Sequence, residues 1–139
     1  MEGILTAALC KANVVNENGR IYPNEALEKM VNDFQEVKNR RGCMIGENGY
    51  PDENNFTITL NNVSHQILDV WIDGDTLYGK IKILDTENGR KVSKMLEDNN
   101  LVFRSRSIGT VGDDKKVTVQ RLISFDAVAA DTDAFKGLI

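Results

Sequence analysis

A chain of 139 residues holds one ordinary domain, taken as residues 1–139, and at that size folding buries about 68% of the unfolded surface, enough for a core without disulfides. With 41% hydrophobic and 27% charged residues the composition is globular and excludes collagen, coiled coil and a disordered tail. The 17 basic and 21 acidic residues leave a net charge of −4, which argues against broad capture of nucleic acid. No run approaches the ~20 apolar residues of a membrane span, and the opening MEGILTAALCKANVV lacks the basic start and cleavage site of a signal peptide. Neither nucleic acid nor a membrane is expected as a partner, and the protein is expected to stay where it is made. His65, Cys10 and Cys43 are too few for a zinc site, and no glycine-rich phosphate loop is present, so no metal or cofactor is expected.

Ile4 to Val15 reads as an opening strand, closed by the turn residues Asn16-Glu17-Asn18-Gly19-Arg20. Asn24 is placed to cap a helix over 24–38, with Leu27, Met30, Val31, Phe34 and Val37 at helical spacing. Lys38-Asn39-Arg40-Arg41-Gly42 ends it with positive charge and a glycine. Gly46 to Asn55 is rich in Asn, Gly and acidic residues and predicts a loop. Strands follow at Phe56–Leu60, Val63–Ile72 and Leu77–Leu84, the last two joined as a hairpin around Asp73-Gly74-Asp75. Val92, Met95 and Leu96 predict a short second helix. Leu101–Val111 and Lys116–Val128 predict a second hairpin across Gly112-Asp113-Asp114. The sum is an α+β fold, mostly antiparallel sheet or barrel with two helices.

Strand alternation puts His65 on one face with Val63, Ile67, Asp69 and Trp71, either as a partly buried structural residue or as a general base for a serine. In Phe103-Arg104-Ser105-Arg106-Ser107-Ile108-Gly109 the serines share one face and the arginines the other. Three readings stand: an edge strand protected by charge, a nucleophilic serine, or an Arg104/Arg106 pair that binds acidic groups on a partner. Cys43 as a nucleophile is weaker, since nothing in the sequence lowers its pKa.

The order of landmarks resembles the prohead (procapsid) maturation proteases of tailed phages, in particular their myovirus branch, which are relatives of the herpesvirus assembly protease. The residues that carry the resemblance are Met1-Glu2-Gly3-Ile4, Val15-Asn16-Glu17-Asn18-Gly19-Arg20-Ile21-Tyr22-Pro23, Asp69-Val70-Trp71, Leu77-Tyr78-Gly79 and Phe125-Asp126-Ala127-Val128. It implies a serine hydrolase in which a histidine of a G-E-x-x-H-P motif activates the first serine of S-S-R-G-x-G. Here the first motif reads Gly46-Glu47-Asn48-Gly49-Tyr50-Pro51 and the second Arg104-Ser105-Arg106-Ser107-Ile108-Gly109, so Tyr50 and Arg104 occupy the catalytic positions. Neutral tyrosine cannot replace imidazole as a base, arginine is no nucleophile, and loss of one triad member typically costs a factor of ~10⁴.

The resemblance therefore implies a non-catalytic component of the phage particle, head decoration or cement first and neck or tail second. It would work in the virion as an oligomer through contacts with capsid or other virion proteins. The alternative is an active protease that trims scaffold and capsid proteins, with Ser105 as nucleophile and His65 as base. A third class is a regulatory protein of host takeover.

Overall fold

The computed structural model describes residues 3–16, 19–49, 60–98 and 101–129. Strand β1 (Gly3–Lys11) is followed by helix α1 (Asn24–Arg41), β2 (Met44–Glu47), a short 3₁₀ turn (Leu60–Asn62), β3 (Val63–Asp73) and β4 (Thr76–Ile83). Helix α2 (Glu87–Glu97), β5 (Leu101–Val111) and β6 (Val117–Ala129) complete it. The first four strands form an antiparallel sheet in the order β1-β4-β3-β2, and β5 and β6 form a hairpin.

These two sheets meet along two seams. At one, β2 lies against β6, where the Gly49 N–H donates to the Ala127 carbonyl at 2.6 Å and the Ser124 hydroxyl donates to the Ile45 carbonyl at 2.6 Å. At the other, β5 lies beside β1 and the Arg104 guanidinium donates to the Ala8 carbonyl at 3.3 Å. At the Ile45 and Ala8 carbonyls a side chain thus takes the place of a ladder N–H, while at Ala127 the backbone itself bridges the sheets. Helix α1 covers the interior with Ala26, Leu27, Met30 and Phe34, which share one core cluster with Ile67, Ile81, Leu122 and Phe125.

Several boundaries differ from the sequence reading, each for a local reason. Strand β1 stops at Lys11 because the Ala12 N–H turns to the Asp75 carbonyl and Asn13 takes φ 63°. Helix α1 runs on to Arg41. Its N-cap is Pro23, in extended conformation and with no side-chain cap bond; Asn24 is already helical and accepts from the Asn13 amide at 3.4 Å instead. Gly42 closes the helix at φ 85°, its N–H on the Lys38 carbonyl, as the sequence predicts.

Part of the expected loop after Gly46 is strand: Met44–Glu47 pairs with β3. Asn48 and Gly49 follow it and bridge to Ala127 on β6, while the rest of that loop from residue 50, and the expected strand Phe56–Leu60 apart from Leu60, lie outside the described residues. A bulge at Ile67/Asp69 in β3 also overturns the expected alternation. His65 and Ile67 point inward, but beyond the bulge it is Val70 that is buried, while Asp69 and Trp71 face solvent.

Candidate active site

Strand β5 gathers the motif residues of the sequence around one stretch, Phe103–Arg106. Its partner on β6 sets the faces, because Cα partners across an antiparallel pair share a side. Arg104 lies opposite Asp126 and Arg106 opposite Ser124, while Phe103 and Ser105 lie opposite Ala127 and Phe125.

On the face of Phe103 and Ser105 stands His65, wholly buried. Its ring meets the Phe103 ring edge-on at a centroid distance of 5.0 Å. Nε2 lies 2.7 Å from the Phe125 carbonyl and Nδ1 lies 2.7 Å from Ser64 Oγ. A carbonyl only accepts, so Nε2 carries the proton and Nδ1 accepts from the Ser64 hydroxyl. Burial lowers the His65 pKa to about 4 against the pull of the Phe125 carbonyl, so the ring is neutral at pH 7, the form a general base needs.

Gly46 makes room for this arrangement. A Cβ there would lie 2.2 Å from His65 Nε2 and 2.4 Å from the Phe125 carbonyl oxygen, closer than any side chain tolerates. The glycine of the Gly46-Glu47 motif is therefore the floor under the histidine.

Ser105 is 7% exposed and hydrogen-bonds Tyr22, whose hydroxyl is pushed up to about 12 by burial and stays protonated at neutral pH. Tyr22 belongs to the Val15–Pro23 motif, so a third sequence landmark arrives at β5. Ser105 and His65 are thus on one side of the hairpin, each held by other partners.

On the opposite face lies an internal ion cluster. Arg106 approaches Glu47 Oε2 at 2.8 Å, Asp126 Oδ2 through Nε at 3.0 Å and Asp126 Oδ1 at 3.4 Å; exposures are 7% for Arg106, 1% for Glu47 and 0% for Asp126. The Glu47 N–H donates to Asp126 Oδ1 at 3.1 Å, and the Asn62 amide donates to Glu47 Oε1 at 3.3 Å. Burial raises the Asp126 pKa to about 7; Arg106 and the Glu47 amide oppose the rise and the Glu47 charge adds to it. The cluster ties the two halves of the family pattern together, Glu47 of the first motif to Arg106 of the second.

Arg106 therefore presents no guanidinium to a partner, which corrects its expected role in a binding pair. Arg104 is half-buried and donates to Ala8 and Phe103 carbonyls, fastening the β1–β5 seam. Tyr50 lies outside the described residues. Cys43 lines an open groove of about 820 Å³ between α1 and β6, with Arg40, Arg41 and Arg121 along its rim, away from the histidine. Sequence reasoning missed Ser64, Asp126 as an ionisable group and the structural need for Gly46. The Gly46-Glu47 pair left a trace in the sequence as a turn-like dipeptide that proves to be strand, and Asp126 left one within Phe125-Asp126-Ala127-Val128.

A family model described as prohead core protein serine protease matches residues 1–132. The chain belongs to that family. It is also 30% identical over 79 residues to the prohead core protein protease of Enterobacteria phage T4, a match covering 57% of this chain and 36% of that relative's length. Among solved structures, the bacteriophage T4 capsid assembly protease superposes with a TM-score of 0.68 at 21% identity, over 90% of this chain and 80% of that one. This likeness establishes the prohead-protease-like α+β fold expected from the sequence.

These findings overturn the expectation that the chain is no enzyme. Membership in a serine protease family points the other way. That expectation put the two motif positions, Tyr50 and Arg104, ahead of the alternative pair Ser105 and His65, which the fold brings to one side of the β5–β6 hairpin. Head decoration likewise draws no support from the comparisons.

Proposed function

We propose that the protein is a serine-type peptidase of a phage prohead, made in the host cytoplasm and acting on scaffold and capsid proteins during head maturation. The observation that carries this reading is the family match over residues 1–132. We assign Ser105 as nucleophile and His65 as base. Supporting the assignment, the His65 ring packs on Phe103, two residues from Ser105 on the same face, and its Nε2 contacts the carbonyl of Phe125, the Cα partner of Ser105.

The described conformation is closed. His65 keeps its proton on the nitrogen facing Phe125, Ser105 is bonded to Tyr22, and both are sealed from water. Catalysis requires Ser105 to leave Tyr22 and the imidazole to leave the Phe125 carbonyl and offer an unprotonated nitrogen. The serine proton then passes to that nitrogen as the hydroxyl attacks the peptide carbonyl, and the imidazolium returns it to the leaving amine.

Incubation with a serine-reactive fluorophosphonate and with a phage head scaffolding protein tests this. Labelling mapped to Ser105, and scaffold cleavage, are both expected and both abolished by Ser105→Ala; His65→Gln should slow them by a factor of ~10³ or more. Absence of labelling and cleavage in folded protein at every pH from 6 to 9 would overturn the proposal.

A further inference from the structure

Glu47, Arg106 and Asp126 place two carboxylates and one guanidinium in a site where none is more than 7% exposed. If all three were ionised the cluster would hold an unbalanced negative charge out of water, the costliest state such a group can take. Among the described residues, Arg106 is the cation that acts on Asp126. Arg104, the Cα partner of Asp126 on β5, donates to the Ala8 and Phe103 carbonyls. From β3, His65 reaches the region through Gly46 and the Phe125 carbonyl and is neutral. The 3₁₀ turn contributes only the neutral amide of Asn62.

We propose that this cluster is a proton-operated clamp. With a proton on Asp126 it is neutral and holds β2 on the β5–β6 hairpin; with the proton lost, the excess charge loosens β2 and uncovers His65. The geometry makes β2 the element that yields. Its Glu47 carries one of the two repelling carboxylates, its Glu47 N–H is bonded to the other, and its Gly46 is the floor under His65. Strand β2 is also only four residues long, whereas β5 and β6 are held by an eleven-residue ladder. Titration near neutral pH accords with the raised Asp126 pKa. The effect on the peptidase rests on the function proposed above; the clamp itself does not.

Amide hydrogen exchange, corrected for the intrinsic pH dependence of exchange, reads the clamp directly. In the wild-type chain the protection of the Glu47 amide should fall by about tenfold or more between pH 6 and pH 8, and in Asp126→Asn it should not change with pH. Equal protection at both pH values in the wild type, or the same fall in Asp126→Asn, overturns the clamp. Should that variant fail to fold, the ¹³C carboxyl resonance of Asp126 in the wild-type protein decides: a midpoint near 7 supports the clamp and one below 5 overturns it. Fluorophosphonate labelling of the same samples separates the two proposals. Labelling that rises with the loss of protection supports both. A protection change without labelling at any pH leaves the clamp standing and removes the peptidase, and labelling without a protection change does the reverse.

Discussion

Acidification from pH 6.5 to 5 should leave the wild-type protein almost unchanged in stability while weakening Asp126→Asn by about 2 kcal/mol. His65 has a folded pKa of about 4 against 6.5 for the free side chain, because its wholly buried ring resists charging. The unfolded chain therefore binds the proton more readily, and the stability His65 contributes is present above 6.5 and lost as the pH falls toward 4. At about 1.36 kcal/mol per pH unit, the step from 6.5 to 5 removes about 2 kcal/mol. Asp126 works with the opposite sign. Its folded pKa is raised from 3.8 to about 7, so the folded chain binds the proton more readily, and its contribution is present below 3.8 and lost as the pH rises through 7. Between 5 and 6.5 the two slopes cancel. Ordinary carboxylates stay ionised in that range and add little. Urea unfolding at pH 5, 5.5, 6 and 6.5, followed by far-UV circular dichroism, measures both proteins. Parallel pH profiles for the wild type and Asp126→Asn would refute the raised Asp126 pKa, and a flat profile for Asp126→Asn would refute the burial argument for His65.

Gly46→Ala should cost about 3–5 kcal/mol in the same unfolding assay, since its methyl must displace His65 from the Phe125 carbonyl and part β2 from β6. Arg106→Met at pH 8 should destabilise by about 3–5 kcal/mol because two carboxylates lose their buried counter-ion, and by less at pH 5, where Asp126 is protonated. Thr86→Ala should cost about 1 kcal/mol or more, because Thr86 Oγ1 accepts from the Gly89 N–H at 2.9 Å and donates to the Val63 carbonyl at 3.0 Å; Asn24→Ala, at a position without a cap bond, should cost a few tenths by the same measurement.

Much of the fold was legible because its signals are local. The α1 periodicity, the Gly42 stop, the turn at Gly74 and the lengths of β3 to β6 follow from side-chain spacing and turn chemistry over a few residues. The first errors came where a distant element overrode that chemistry. Gly46 and Glu47 look like turn residues, yet they form a strand because His65 needs the space of the missing Cβ and Arg106 needs the carboxylate. The faces of β3 were misassigned past Ile67 because a bulge adds one residue without any mark in the sequence.

The candidate site divides in the same way. The family pattern, the single histidine, the serine and arginine alternation on β5 and the departures at Tyr50 and Arg104 are all readable from residue order. Folding is what makes Arg106 an internal counter-ion, keeps His65 neutral between Ser64 and Phe125, and brings Tyr22, Glu47 and Asp126 together on β5. Those outcomes depend on burial and on pairings far apart along the chain, 79 residues in the case of the Glu47 amide and Asp126. Pattern and spacing report neighbours along the chain, whereas charge state and accessibility are set by neighbours in space.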